Sequence, residues 1–162
     1  MANPVTSFSP DFSLQTMVLP RGITNPNNWC YLLAPLQSLF HIPPFSNLML
    51  LLATDRPLAT TLSRFPAPAL KAMVATASRY RACRPGSKLL GGPSDIIAML
   101  QRQNTFPVVA GRQEDSEEFL SFLLNSMHEE FGIVFSSSCQ LHSPIQVKTS
   151  RCFSYAFSVF FS

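Results

Sequence analysis

The clearest helical pattern of the chain lies at positions 115–130, which read DSEEFLSFLLNSMHEE. Its apolar side chains recur every three or four residues, which is the spacing of one face of an α-helix. These side chains are Phe119, Leu120, Leu123, Leu124 and Met127. Asp115 and Glu118 precede them in the D-x-x-E order that is typical of a capping box at a helix start. The stretch therefore predicts a helix from Asp115 to about Glu130.

Four shorter apolar segments predict further helices. They are a segment through Leu36 and Phe40 that ends at His41–Pro44, residues 48–52 capped by Ser46, residues 68–80 begun by Pro68, and residues 95–103 capped by Ser94. No strand pattern of comparable strength occurs, apart from a weak alternation of aromatic residues after Phe153. The fold class that we predict is mainly α.

Length and composition favour one domain, or a piece of a larger one. The chain has 162 residues, 46% of them hydrophobic and 13% charged, with a net charge of +3. This length suffices for a buried core, and no dense Lys/Arg patch of the kind that binds nucleic acid is present. We expect a flexible arm at residues 1–18, a helical region at 19–131 and an atypical Ser- and Phe-rich tail at 132–162.

Targeting signals and cysteine spacing bear on the compartment. The longest aliphatic run, Leu48 to Ala53, is far shorter than the ~20 residues of a membrane-spanning helix, and the amino terminus shows no signal peptide. The four cysteines are far apart and form no C-x₂-C pair, so we expect free thiols and no metal site. These features predict no membrane association and a cytoplasmic protein that can also be nuclear.

Charge is distributed unevenly along the chain. Nine Lys or Arg residues and one acid lie between Arg56 and Arg112, whereas six acids and no Lys or Arg lie between Glu114 and Glu130. Such runs usually form a solvated helix face. The acidic face could also bind a basic partner.

Cys30 lies where an Asn-rich loop, residues 25–28, meets an apolar helix. A helix amino terminus favours a thiolate, because its free N–H groups and its dipole favour negative charge. Asn25 offers a side-chain N–H that could point at an oxyanion formed beside the sulfur. The alternative is that Cys30 is a small buried hydrophobic residue, as most intracellular cysteines are.

Two segments resemble the sequence boxes of the ubiquitin-specific protease family. Residues 22–31, GITNPNNWCY, continue through Leu36-Gln37-Ser38-Leu39 and are similar to the family's cysteine box. Residues 111–120, GRQEDSEEFL, are similar to its Gln-x-Asp box, at the expected order and distance. The resemblance implies that residues 19–131 are part of a papain-like cysteine peptidase domain, which is α+β when complete. They would form its helical thumb, without the β palm and the zinc-binding fingers.

The resemblance also implies roles for individual residues. Cys30 would be the nucleophile that forms a thioester with the carboxyl-terminal glycine of ubiquitin, and Asn25 would donate to the oxyanion. Gln113 and Asp115 would line the channel for ubiquitin's basic tail. Glu118 would either cap its own helix, which we favour, or help to hold the tail. No cofactor is implied, and the partners would be ubiquitin and ubiquitinated proteins.

The chain departs from the family pattern at several positions near Cys30, and Leu33 stands where asparagine is usual. Asn27 stands where the family has glycine, so we expect a positive φ there, which Asn tolerates. Pro35 cannot donate to the carbonyl of Tyr31. We therefore expect either that the helix starts late, with Pro35 in its first turn and Cys30 deprived of the dipole, or that the helix kinks.

A general base is the missing part of the predicted site. Thiol proteases of this type use a histidine, and the histidines here are His41, His128 and His142. His41 follows Cys30 by about 11 residues, or roughly 16 Å along the helix. We expect His128 to interact with the end of its own helix, and His142 lies in the atypical tail. None carries the family's surrounding motif.

Three functions of different kinds remain open. The chain is a piece of a cysteine-type deubiquitinase whose activity resides in a longer product, a catalytically dead module that binds ubiquitin, or a fragment without function. We expect membership of the deubiquitinase family and no hydrolysis by these 162 residues alone.

Overall fold

The computed structural model describes residues 21–84, 86–89, 92–104 and 106–136. Its elements, in chain order, are β1 (Gly22–Ile23), α1 (Cys30–His41), α2 (Pro43–Thr54), α3 (Arg56–Arg64), α4 (Pro68–Ala82), β2 (Lys88–Leu89), α5 (Ser94–Gln103) and α6 (Ser116–Ser136). The predicted mainly α class is confirmed for this part of the chain. The arm at 1–18 and nearly all of the tail lie outside the described residues.

Proline and aspartate set three of the helix starts. Pro43 and Pro68 occupy the first positions of α2 and α4, where a fixed φ suits the helix and the missing N–H costs nothing. The prediction for α2 was wrong, because the helix begins three residues before Ser46. In α3, which the sequence did not predict, the Asp55 carboxylate accepts a hydrogen bond from the Leu58 N–H at 3.0 Å.

The start of α5 also differs from its prediction. Ser94 is the first helical residue and makes no cap, since Pro93 precedes the helix. Its hydroxyl instead accepts a hydrogen bond from Arg79 at 2.9 Å, and Arg79 pairs with Asp95 at 2.6 Å. The polar start of α5 therefore binds α4.

Helix α6 runs to Ser136, beyond the predicted end at Glu130 and past Gly132. Glycine costs about 1 kcal/mol in a helix interior. Phe131 and Val134 continue the apolar face and are buried, and each such burial contributes roughly 1.5–3 kcal/mol. Packing thus outweighs the unfavourable propensity of Gly132, so the helix enters the segment that we predicted to contain none.

The core forms where α4 packs against α2, α5 and α6, and α1 packs against α2 and α6. Tyr80, Phe40 and Phe119 are its largest fully buried side chains. Phe40 and Tyr80 stack with their ring centroids 4.9 Å apart. These contacts fix α1 and α6 relative to each other, and both helices begin at the same end of the domain.

Two short strands hold the segment that leads into α1. Strands β1 and β2 pair in parallel, with Gly22 opposite Lys88. Just before β1, the Tyr80 hydroxyl accepts from the Arg21 N–H at 3.1 Å and donates to the Arg21 carbonyl at 2.9 Å. Gln37 donates to the same carbonyl at 2.9 Å. The core therefore fastens the beginning of the Asn-rich loop.

None of the helices described here is by itself long and apolar enough to cross a bilayer. Only α1 and α2 taken together reach that length and hydropathy, and they meet at a bend of 88°.

Candidate active site

Cys30 is the first residue of α1 and its side chain is exposed. Trp29 precedes the helix, and no side chain caps it. The Trp29 carbonyl accepts from the N–H groups of Leu32 and Leu33. Within the described ranges, nothing accepts from the N–H groups of Cys30 and Tyr31, so the positive end of the helix is open beside the sulfur.

The structure thereby decides between two expectations about α1. The late start is wrong, because α1 begins at Cys30 and contains Pro35 in its interior. The alternative that Cys30 is buried is also wrong. Leu33, in contrast, is buried in the core. Cys30 therefore lies at the amino-terminal end of the α1 dipole, which favours a negative charge on its sulfur.

Asn25 is held by its own loop. Its side-chain oxygen Oδ1 accepts a hydrogen bond from the Trp29 N–H at 2.7 Å, which orients the amide and leaves its Nδ2 group to donate. The positive φ lies at Asn28, at 59°, and not at Asn27 as predicted. The turn into the helix is therefore made one residue later, where an asparagine tolerates the left-handed conformation.

The fold brings the two sequence boxes together at Cys30. The Gln113 amide Nε2 donates to the Cys30 Sγ at 3.6 Å, although 83 residues separate them. The Gly111 N–H donates to the Asn27 carbonyl at 3.2 Å, with φ of Gly111 at 81°. The predicted nucleophile and one predicted substrate-binding residue thus share one surface.

A further contact involves the carbonyl that Pro35 leaves without its helical donor. In an α-helix the N–H of residue 35 would donate to the Tyr31 carbonyl, and proline has no N–H. The Ser116 hydroxyl, from the first residue of α6, donates to that carbonyl at 3.2 Å. Sequence reasoning missed Ser116, although a proline inside a helix signals a carbonyl that needs another donor.

Asp115 caps α6 as predicted. Its Oδ1 accepts from the Glu117 N–H at 2.6 Å and from the Glu118 N–H at 3.1 Å. The return half of the capping box does not form, because the Glu118 side chain is exposed and its carboxylate makes no hydrogen bond within the described part of the chain. The cap that we favoured for Glu118 is therefore wrong, and its carboxylate faces solvent beside that of Asp115.

The two residues on either side of Gln113, Arg112 and Glu114, are also charged. Arg112 pairs with Glu114 at 2.7 Å. Next to them the Tyr31 phenol is buried, and burial chiefly, with Glu114 and Cys30 contributing, raises the pKa of Tyr31. The phenol therefore stays neutral at physiological pH.

Histidines lie elsewhere among the described residues. His41 ends α1, and its Nδ1 contacts the Gln37 carbonyl at 2.6 Å. His128 lies in α6, two turns before the helix end, which differs from its predicted place at that end. His142 is outside the described residues. Neither described histidine is placed beside Cys30.

Cysteine and acidic side chains form no metal-ligand cluster in the part of the chain that the structure describes. No three His, Cys, Asp or Glu side chains converge there as ligands would. Cys30 and Cys83 are free thiols in the same ranges.

Comparisons with known proteins show which family this chain resembles over most of its length. The family model "Ubiquitin carboxyl-terminal hydrolase" matches residues 21–160, which includes most of the segment that we predicted to depart from the family. Ubiquitin carboxyl-terminal hydrolase 10 of Mus musculus is 34% identical over 127 residues, in an alignment that covers 68% of this chain and 16% of that relative. The protein of the same name from Xenopus tropicalis is 36% identical over 127 residues, with the same shares of the two chains.

A more distant relative extends the range of organisms. The probable ubiquitin carboxyl-terminal hydrolase 3 of Schizosaccharomyces pombe is 28% identical over 131 residues, in an alignment that covers 78% of this chain and 25% of that relative. The chain thus spans a quarter or less of these relatives. No solved structure matches it significantly. With the cysteine box and the Gln-x-Asp box joined at Cys30, the chain belongs to the ubiquitin carboxyl-terminal hydrolase family.

Proposed function

We propose that the chain is the helical thumb of a papain-like ubiquitin-specific cysteine peptidase, with Cys30 as its nucleophile. The observation that carries this is the 3.6 Å contact between Gln113 Nε2 and the Cys30 Sγ. It joins the two family boxes at an exposed thiol on an uncapped helix start. A structural cysteine would be buried among apolar neighbours and would need neither the polar contact nor the open helix end.

The proposed chemistry is acyl transfer to sulfur. The Cys30 thiolate attacks the carbonyl carbon of ubiquitin's terminal glycine, and the carbonyl oxygen takes the negative charge. The Asn25 Nδ2 group donates to this oxyanion, since Oδ1 is already engaged by Trp29. When the bond to the leaving amine breaks, the amine takes the proton that the general base has removed from the Cys30 thiol, and the glycine remains on Cys30 as a thioester.

The acidic start of α6 is the proposed binding surface for the tail of ubiquitin. Asp115 uses one oxygen for its cap, which leaves its other oxygen for a cationic partner. The Glu118 carboxylate is exposed and has no hydrogen-bond or ion-pair partner in the described part of the chain. Two adjacent carboxylates suit an arginine of an extended basic peptide, and Gln113 would then touch both the thiol and the tail.

Turnover requires a base that the described residues do not place beside Cys30. We propose that these residues bind ubiquitin and present the thiol, but that hydrolysis needs a histidine from outside the described ranges or from another chain. The β palm and the zinc fingers would likewise not be part of this unit. A ubiquitin-binding module without turnover is therefore the second candidate, which the exposed carboxylates favour.

The experiment uses ubiquitin that carries a carboxyl-terminal electrophile, which a thiolate attacks without a general base. We expect a covalent adduct on Cys30, mapped by mass spectrometry, with none in Cys30→Ala. Cys83→Ala is the matched control and keeps the adduct. Asp115→Asn keeps the cap oxygen and loses the charge, so we expect slower labelling.

Different results separate the candidates. An adduct without hydrolysis of a fluorogenic ubiquitin conjugate supports the thumb proposal and the need for an external base. Binding by Cys30→Ala with no adduct in the native protein supports the module alone. A circular dichroism spectrum without helix refutes both candidates, whereas labelling of Cys83 at the rate of Cys30 refutes the thumb proposal.

We also propose a reducing compartment, the cytoplasm or the nucleus. Cys30 must be reduced to act as a nucleophile, and both described cysteines are free thiols. Imaging of a tagged full chain tests this, and a secreted, oxidised protein would contradict it.

A further inference from the structure

We infer that Ser116 is a positioning residue for Cys30, because its hydroxyl replaces the helical hydrogen bond that Pro35 removes from the Tyr31 carbonyl. This inference rests on the proposed function only in taking Cys30 as the working thiol. The contact itself is independent of ubiquitin.

Helix α1 lacks one hydrogen bond beside its nucleophile. Pro35 lies inside α1, four residues after Tyr31, so the Tyr31 carbonyl has no α-helical donor. Tyr31 is buried, with 3% of its surface exposed. The Tyr31 carbonyl is part-buried where Ser116 contacts it, so leaving it without a donor is unfavourable. It lies in the first turn of the helix that carries Cys30.

The replacement donor comes from the other family box. Ser116 follows Asp115 directly and starts α6, and its Oγ lies 3.2 Å from the Tyr31 carbonyl. The bond therefore crosses from the Gln-x-Asp box to the residue beside the nucleophile. If a residue of α1 itself donated to the Tyr31 carbonyl, this hydrogen bond between the two boxes would not exist.

This bond completes a set of three contacts between the boxes. Gly111 donates to the Asn27 carbonyl, Gln113 donates to the Cys30 sulfur, and Ser116 donates to the Tyr31 carbonyl. The three donors lie within six consecutive residues, and the three acceptors lie within five. Ser116 is the last of them and the one on a helix, so it sets the distance between the start of α6 and Cys30.

The same contact explains how α1 tolerates proline at this position. A helix-interior proline removes one hydrogen bond and disturbs the preceding turn. Here an external hydroxyl supplies the missing bond. Loss of the Ser116 hydroxyl should therefore affect Cys30 only while Pro35 is present. The inference can be tested by combining a change at Ser116 with a change at Pro35.

The test measures how fast iodoacetamide alkylates Cys30 across a pH series in the full chain, with mass spectrometry resolving each cysteine. Four proteins are compared: the native chain, Ser116→Ala, Pro35→Ala and the double variant. In Ser116→Ala we expect about fivefold slower alkylation of Cys30 at neutral pH, with the midpoint of the pH profile moved upward. In the Pro35→Ala background the same change should have no effect, since alanine restores the backbone N–H that proline lacks.

Two control variants sharpen the result. Ser116→Thr keeps the hydroxyl, and the neighbouring groove of about 410 Å³ between α1 and α6 leaves room for its methyl group, so it should retain the native profile. Ser38→Ala removes another serine hydroxyl, one on α1 that donates to the Ala34 carbonyl at 3.1 Å. It should leave the alkylation of Cys30 unchanged.

The outcomes are distinguishable from those of the proposed function. A native pH profile in Ser116→Ala, with native helix content, overturns the inference. An equal slowing with and without the Pro35→Ala change also overturns it, because Ser116 would then act apart from the freed carbonyl. Alkylation uses no ubiquitin, so a chain that fails to react with the ubiquitin electrophile can still show the predicted interdependence.

Discussion

Replacing Glu130, the buried acid of α6, with alanine is expected to destabilise the domain strongly. Glu130 is 8% exposed, and its two oxygens accept from the N–H groups of Ala69 at 2.9 Å and Leu70 at 2.8 Å. These N–H groups lie in the first turn of α4, where no helical partner exists. One carboxylate thus caps α4 from the neighbouring helix.

The expected magnitude follows from those two bonds. In Glu130→Ala both N–H groups lose their acceptor, at about 1–3 kcal/mol each, so we expect a loss of roughly 4 kcal/mol. Small domains have a free energy of unfolding of about 5–15 kcal/mol, so this is a large fraction of the total. Glu130→Gln keeps one acceptor oxygen and turns an N–H₂ group toward the other donor, so we expect an intermediate loss of about 2 kcal/mol.

The pH dependence carries a definite sign. Burial raises the pKa of Glu130. The hydrogen bonds from Leu70 and Ala69 and the charge of Lys71 lower this pKa, but by less than burial raises it. The folded state then binds a proton more tightly than the unfolded state, whose value is near 4.5. The stabilisation from protonation is complete below that pH and is lost as pH rises through the folded pKa. The native chain should therefore lose stability relative to Glu130→Gln over this window.

Urea unfolding followed by circular dichroism, from pH 4 to pH 7.5, is the assay. Glu129→Gln is the matched control, because Glu129 is the exposed neighbour on the same helix, and we expect a change within about 0.5 kcal/mol. If Glu130→Ala were no less stable than Glu129→Gln, the cap would carry no energy. If the native chain gained stability over Glu130→Gln as pH rises, burial would not dominate its pKa.

Three further changes test the site and its support. Tyr80→Phe removes the hydroxyl that bonds the N–H and the carbonyl of Arg21. We expect the free energy of unfolding to fall by about 1–3 kcal/mol and hydrogen exchange at the Arg21 amide to become faster. Unchanged exchange would show that this hydroxyl does not hold Arg21. Asp115→Ala removes the cap of α6 and should cost about 1 kcal/mol in thermal or urea unfolding, whereas Asp115→Asn should cost less, and equal costs would argue against the cap. Gln113→Leu removes the donor to the Cys30 sulfur, so alkylation of Cys30 at neutral pH should slow several-fold, and a native rate would show that the contact does not stabilise the thiolate.

Elements with a strong local signal were predictable. The periodic apolar face and the Asp115 cap predicted α6 to within a residue at its start, and Pro68 marked the start of α4. Helix α3 was missed because it has only nine residues and two buried leucines, Leu58 and Leu62. A helix so short is marginal in isolation, so its existence depends on packing.

Polar residues were assigned less well, because their partners are distant along the chain. Ser46 and Ser94 have the composition of helix caps, yet their hydroxyls accept from Arg81 and Arg79 of α4. Glu130 lies three residues after Met127, on the apolar face, which signals a buried acid. Only the fold shows that the first turn of α4 is what it caps.

Near-neighbour patterns were enough to predict the family of this chain: they are a cysteine after an Asn-rich loop, an acidic helix start, and two segments that resemble the boxes of one family. Helices, caps and motifs depend on residues that are a few positions apart, so they can be predicted from the sequence. Packing was needed to establish that Cys30 keeps the start of α1 despite Pro35, and that Gln113 and Ser116 meet it from more than 80 residues away. Whether a proline ends a helix depends on whether a distant donor replaces its missing N–H, and that is a property of the folded chain.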